Sequence, residues 1–150
     1  MTFADLSPAL LTEAVCETLE QLAFAEAIPC PAPALAPSNL LSARLSFFGP
    51  LAGALVLRIP APLAMQLAGD VLGDPGTAAD QNVLRDAVGE FVNTIAGSVL
   101  RKAGVAGYEL GLPEHGAGGA PGPNATWFDV REQKLALEVE ANAPARPGSG

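Results

Sequence analysis

The sequence predicts an α+β domain, a mainly antiparallel sheet with long helices packed on one face, in the element order α-β-β-α-α-β-β-β. Three observations predict it. Apolar residues recur at helical spacing in two long stretches and one short one, while other segments alternate apolar and polar residues. Connections between successive strands are short, which favours antiparallel pairing. About half of the 150 residues are apolar, enough for one domain to bury a core without metal or disulfide staples. Aromatic residues are few, so Leu, Val, Ala and Ile are expected to fill that core.

Taken in order, Ser7-Pro8 opens the first helix, a capping hydroxyl followed by proline at the first helical position. Through PALLTEAVCETLEQLAFAEA, Leu11, Val15, Leu19 and Leu22 form one stripe, and the helix is expected to end before Pro29. The four prolines from Pro29 to Pro37 read as an extended connector. Leu41, Ala43, Leu45 and Phe47 then alternate with Ser42, Arg44 and Ser46 as a half-buried strand. After the Gly49-Pro50 break, GALVLRI resumes as a more buried strand, the two forming a hairpin. Pro62 opens a short helix, PLAMQLAGDVL, which Gly73-Asp74-Pro75-Gly76 stops. The longest helix runs from about Asp80, a capping carboxylate, to Ala103, with Arg101 and Lys102 at the negative end of its dipole. Tyr108 to Leu112 reads as a strand, and Gly116 to Asn124 as a flexible or hairpin-tip loop. ATWFDVRE and KLALEVEA read as a second hairpin, in which one of Trp127 and Phe128 faces the core and the other outward. The tail APARPGSG is expected to be disordered.

Charge and cysteine usage exclude several functions. The net charge is −8, with 16 acidic residues against 8 basic ones. Nucleic-acid binding needs clustered Lys and Arg, and an anionic membrane surface needs the same. An acidic surface suits a protein partner that presents a basic patch or a lysine. Cys16 and Cys30 form neither a disulfide framework nor a zinc spacing and read as buried reduced thiols. The N-terminus lacks the basic and apolar regions of a signal peptide, and no apolar run is long enough to span a membrane. The cytoplasm is the expected location.

The candidate site lies on the longest helix, DQNVLRDAVGEFVNTIAGSVLRKA. At 100° per residue, Leu84, Val88, Phe91, Val92, Ile95 and Val99 cluster on one side and are expected to face the core. Asp86, Glu90, Asn93 and Gly97, spaced i, i+4, i+7 and i+11, share a narrow strip almost opposite. Glu90 and Asn93 are direct neighbours on it. An amphipathic helix needs a solvated face anyway, but two features set this one apart. Asn is a poor helix former, and an exposed glycine inside a helix costs about 1 kcal/mol relative to Ala. The strip also has no Lys or Arg between Arg85 and Arg101. It reads as a docking surface.

Glu90-Phe91-Val92-Asn93-Thr94-Ile95-Ala96-Gly97 resembles the ExxNxxxG signature of the CheC, CheX and FliY phosphatases, with Asp86 at the acidic position four residues before the Glu. The chain is most similar to CheX, because the first helix offers no second copy of the motif: Glu13 and Glu17 are followed three residues later by Cys16 and Glu20. The likeness extends to the element order and is expected to cover one CheX-like domain over about residues 6 to 141, the last nine residues forming a tail. It implies hydrolysis of the aspartyl phosphate on a CheY-type receiver domain, in chemotaxis or related two-component signalling. The receiver would bring its own Mg²⁺ and lysine, so the chain needs no cofactor of its own. Asn93 would hold the attacking water through its amide, a neutral group that adds no charge beside a dianion. Glu90 would pair with the receiver's lysine. Asp86 would extend the acidic rim, and Gly97 would let the receiver's loops approach the helix. A homodimer is likewise implied, with the sheet edges as candidate contacts.

His115, beside the Gly-rich loop, reads as an ordinary surface residue, and a single histidine gives no Ser-His-Asp set. No cluster of side chains suggests a metal site. A rival reading keeps the fold and drops the catalysis: a non-catalytic adaptor that binds a receiver domain or a flagellar or signalling component would retain both Glu90 and Asn93. In a third reading the strip simply faces water.

Overall fold

The Ser7 hydroxyl accepts a hydrogen bond from the Leu10 N–H at 3.2 Å and caps the first helix, α1, which spans Pro8–Ala23. The computed structural model describes residues 2–35, 37–73, 80–117 and 120–141. The expected tail lies outside the described residues, as do parts of the Gly73–Gly76 stop signal and of the Gly-rich loop. α1 ends one residue past its apolar stripe, well before the limit set by Pro29. Phe24 takes a left-handed backbone (φ 52°), and the N–H groups of Phe24 and Ala25 return to the carbonyls of Glu20 and Leu19, closing the helix. Burial then alternates through Ala25, Glu26 and Ala27, the period of extended chain rather than helix.

That chain leads into β1, Ile28–Cys30, where the sequence suggested only a connector. Pro29 is tolerated because β1 pairs on one side only, at the rim of the sheet. β2 (Leu40–Phe48) and β3 (Gly53–Pro60) form the expected hairpin. α2 (Ala61–Leu72) closes on Gly73 in the left-handed conformation at φ 71°. α3 spans Gln81–Lys102. β4 (Glu109–Leu110), β5 (Glu114–Ala117), β6 (Thr126–Val130) and β7 (Gln133–Ala141) complete the chain.

All strand pairs are antiparallel. The sheet order is β1-β6-β7-β3-β2, and the outer side of β2 is shared by β4 and β5. The three α-helices of the described chain cover one face. Leu45, Phe47, Leu55, Leu57 and Ile59 of the sheet meet Leu11, Val15 and Leu19 of α1, Leu63 and Leu67 of α2, and the apolar side of α3. On the opposite face, Arg44 pairs with Glu140 and Arg58 with Glu138. Trp127 and Phe128 do point to opposite faces, but the outward ring is covered as well. Trp127 is only 7% exposed, so it offers no surface aromatic for an oligomer contact.

Candidate functional site

Asp80 fixes where α3 begins. Its carboxylate accepts the backbone N–H of Asn82 at 2.8 Å and of Val83 at 3.3 Å. From that start the helical period carries Val88, Phe91, Val92, Ile95 and Val99 into the core. On the other side Asp86 and Glu90 are exposed and Asn93 is half-buried. Glu90 Oε1 accepts the Thr94 hydroxyl at 3.3 Å, a contact one turn long that keeps the carboxylate at the surface. Among the described residues no hydrogen bond engages the Asn93 side chain. A half-buried amide without an internal partner keeps both its donor and its acceptor for something outside the chain.

Gly97 lies on the expected strip but not in solvent. It is buried, not exposed. The Arg101 guanidinium folds back over it, with Nη1 3.2 Å from where a Cβ would stand, and the Tyr108 hydroxyl lies 4.0 Å from the same point. The missing side chain eases the close approach of the protein's own Arg101, while Tyr108 stands at ordinary contact distance. The helical period placed Gly97 on the outer strip correctly. What it does not encode is which side chains fold over that strip.

Opposite Glu90 and Asn93 stands a wall that sequence reasoning missed. β4 and β5 both pair with β2, but not in one register. Leu110 is opposite Phe47 and Glu114 opposite Arg44. Two β2 residues, Leu45 and Ser46, therefore face three on the edge chain, Gly111, Leu112 and Pro113. This is a β-bulge, a device that re-aims side chains at sheet edges. The Gly111 N–H is anchored to the Ser46 carbonyl at 2.8 Å. Leu112 is pushed into solvent and is 87% exposed. Beyond the bulge, Pro113 Cγ and the His115 ring reach within 3.4–3.5 Å of the position a Cβ on Gly89 would occupy. The edge chain therefore packs on α3 at Gly89, at a distance where even a Cβ would make an ordinary van der Waals contact. Partial burial and the Arg85 guanidinium hold the His115 imidazole below its ordinary range, with Asp86 opposing.

The result is an open groove of about 490 Å³ with Asp86, Glu90 and Asn93 on one side and the bulge on the other. A larger hollow of about 640 Å³ lies by Cys16, Glu20 and Phe24, but its chemistry is poor. Burial and then Glu26, Glu17 and Glu20 push the Cys16 thiol up, so it stays protonated and is no nucleophile. Among the described residues no group of three or more His, Cys, Asp or Glu side chains is placed to hold a metal ion, and no helix is long and apolar enough to cross a membrane.

Residues 41–120 match the family model described as chemotaxis phosphatase CheX. The matched segment is more than half of the chain and includes all of α3 and the bulged edge. The chain belongs to the CheX family of chemotaxis phosphatases. No curated protein sequence matches it. Solved structures share the fold. Chemotaxis protein CheX from Vibrio vulnificus aligns with a TM-score of 0.71 at 16% identity, covering 89% of this chain and 95% of that one. A CheC-like superfamily protein from Shewanella sp. PV-4 gives 0.70 at 18% identity, over 93% and 98%. A chain of the CheX–CheY–BeF3–Mg complex from Borrelia burgdorferi gives 0.66 at 15% identity, over 90% and 97%.

Proposed function

We propose that this CheX-family phosphatase removes the phosphoryl group from the phosphoaspartate of a CheY-type receiver, with Asn93 and Glu90 as the residues that enter the receiver's active site. One observation carries the assignment of residues: the Asn93 amide is half-buried and unpaired among the described residues, one turn from an exposed carboxylate, on a groove open to a partner. The solved CheX–CheY complex of a structural neighbour supports the choice of a CheY-type partner.

The chemistry follows from the residue types. Hydrolysis of an acyl phosphate needs a water held in line with the phosphorus–oxygen bond that breaks. The Asn93 carbonyl accepts a hydrogen bond from that water, and its NH₂ is free to donate to a phosphoryl oxygen. Being neutral, it neither repels the dianion nor requires deprotonation. A fixed water orientation is worth a large factor because it replaces a search through solvent orientations. Glu90 pairs with the lysine of the receiver and fixes the register of the two proteins. Asp86 lies at the acidic rim and adds steering. Mg²⁺ would come with the receiver, and the chain would need no cofactor of its own. A homodimer and a cytoplasmic location complete the proposal.

The test is the decay of a phosphorylated receiver with and without this protein. Wild type is expected to accelerate it. Asn93→Ala is expected to lose about a hundredfold or more of that acceleration while still binding receiver charged with beryllofluoride. Binding without any acceleration by wild type would replace the enzyme with an adaptor. Full acceleration by Asn93→Ala would remove Asn93 from the chemistry.

A further inference from the structure

The one large apolar side chain on the groove that stands almost fully in water is Leu112, and nothing in the chemistry above uses it. Its position is built. The bulge between β4 and β5 exists because three edge residues span two on β2. Gly111 is pinned by its hydrogen bond to Ser46. Pro113 has a fixed φ and packs toward Gly89 of α3. A leucine in a three-residue bulge held between two paired strands and pinned at Gly111 loses less entropy when a partner covers it than one on a long free loop. It faces the groove that also carries Asp86, Glu90 and Asn93. An apolar group ringed by charged ones is the composition of an interface anchor with its polar rim.

We infer that Leu112 is a second docking point for the receiver, inserting against an apolar side chain on the receiver surface beside its phosphorylated carboxylate, and that this contact helps to choose which receiver is served. The inference rests on the functional reading above, because the groove is one continuous surface and a receiver seated on Glu90 and Asn93 meets its other wall. It adds a binding contact on the edge chain to the register contact that Glu90 makes from α3. The contact acts alike on bound ground state and transition state, so it belongs in KM and not in kcat.

The experiment is dephosphorylation across a range of phosphorylated receiver concentrations, together with affinity for the beryllofluoride-loaded receiver. Leu112→Ser is expected to raise KM and Kd roughly tenfold with kcat within about twofold of wild type. Leu112→Met, apolar and of similar volume, is expected to restore both. Leu35, 86% exposed but off the groove, is the control, and Leu35→Ser should change neither quantity. Wild-type KM and affinity in Leu112→Ser, beside an active wild type, overturn the docking role and leave the functional reading intact. A loss confined to kcat overturns it equally. So does a Leu112→Ser that shifts only the self-association of the chain, which would make the anchor a contact between copies. A wild type that neither binds nor serves a receiver removes both readings together.

Discussion

The two edges of the sheet are both irregular, and for different reasons. The β1 edge is three residues long, carries Pro29, and shows Ile28 to solvent. Short length and proline are ordinary ways to stop an edge from recruiting further strands. The β2 edge is instead covered by two short strands with a bulge between them, and the covering chain rests on α3 through Pro113, His115 and the bare Gly89 backbone. One edge is merely blunted. The other is re-aimed toward a helix whose outer strip carries an acid and an amide, and the space between them is the groove. A shared sheet can therefore hold a scaffold edge and a working edge, and the difference lies in whether a helix is close enough to build against.

The largest expected effect tests whether the blunt side is scaffold alone. Phe128 lies one strand in from β1, opposite Pro29, and is fully buried. Phe128→Ala deletes a ring from a close-packed core and should cost about 3–5 kcal/mol of stability, read by denaturant unfolding. Turnover per folded molecule should stay at the wild-type level. Reduced turnover in the folded fraction would mean that the two edges are coupled, and the contrast would break.

A smaller effect belongs to the working side. Glu90→Ala should weaken binding of beryllofluoride-loaded receiver by roughly tenfold, about 1.4 kcal/mol, because it removes one partner of a charge-assisted pair at a protein interface. Its fold stability should hardly change, since among the described residues the carboxylate hydrogen-bonds only to Thr94. The matched change on the blunt edge, Ile28→Thr, should stay within about 0.5 kcal/mol in stability and leave affinity untouched. Unchanged affinity in Glu90→Ala would contradict the lysine pairing.

Much of this contrast was legible in the sequence, and the illegible part has a common cause. Ser7 and Asp80 announce their helices because capping is local chemistry. The core stripe of α3, and with it the outward placement of Glu90 and Asn93, follows from period alone. Strands β1 and β5 were hidden because Pro29 and Gly116 suppress local strand preference, and only pairing to β6 and β2 overrides it. The bulge was invisible for a stricter reason. It is a one-residue difference between two registers, a property of the pair and not of either strand. Leu112 thus read as the end of an ordinary strand. Gly97 failed in the same way: its position on the strip was correct, but Arg101 and Tyr108, which cover it, come from a later turn and from a segment beyond the helix. Local rules found the α3 side of the groove and missed the wall opposite.

The smallest effect probes that wall through His115, which seats the edge chain on Gly89. The imidazole titrates below its ordinary value of 6.5, because partial burial and then Arg85 disfavour the charged ring more than Asp86 favours it. The folded protein therefore takes up this proton at lower pH than the unfolded chain does. Across the window just below 6.5 the unfolded state binds more protons, so stability falls as the solution is acidified and levels off once the folded ring is charged too. His115→Asn keeps a neutral polar side chain there and should remove that component, so the melting temperature of wild type minus that of the variant should fall as the pH is lowered from 7.5 to 5. The fall should be small, since the ring is largely open to water and screened. An identical pH profile in both proteins would show that packing of the edge chain beside α3 and Arg85 does not disfavour the charged ring.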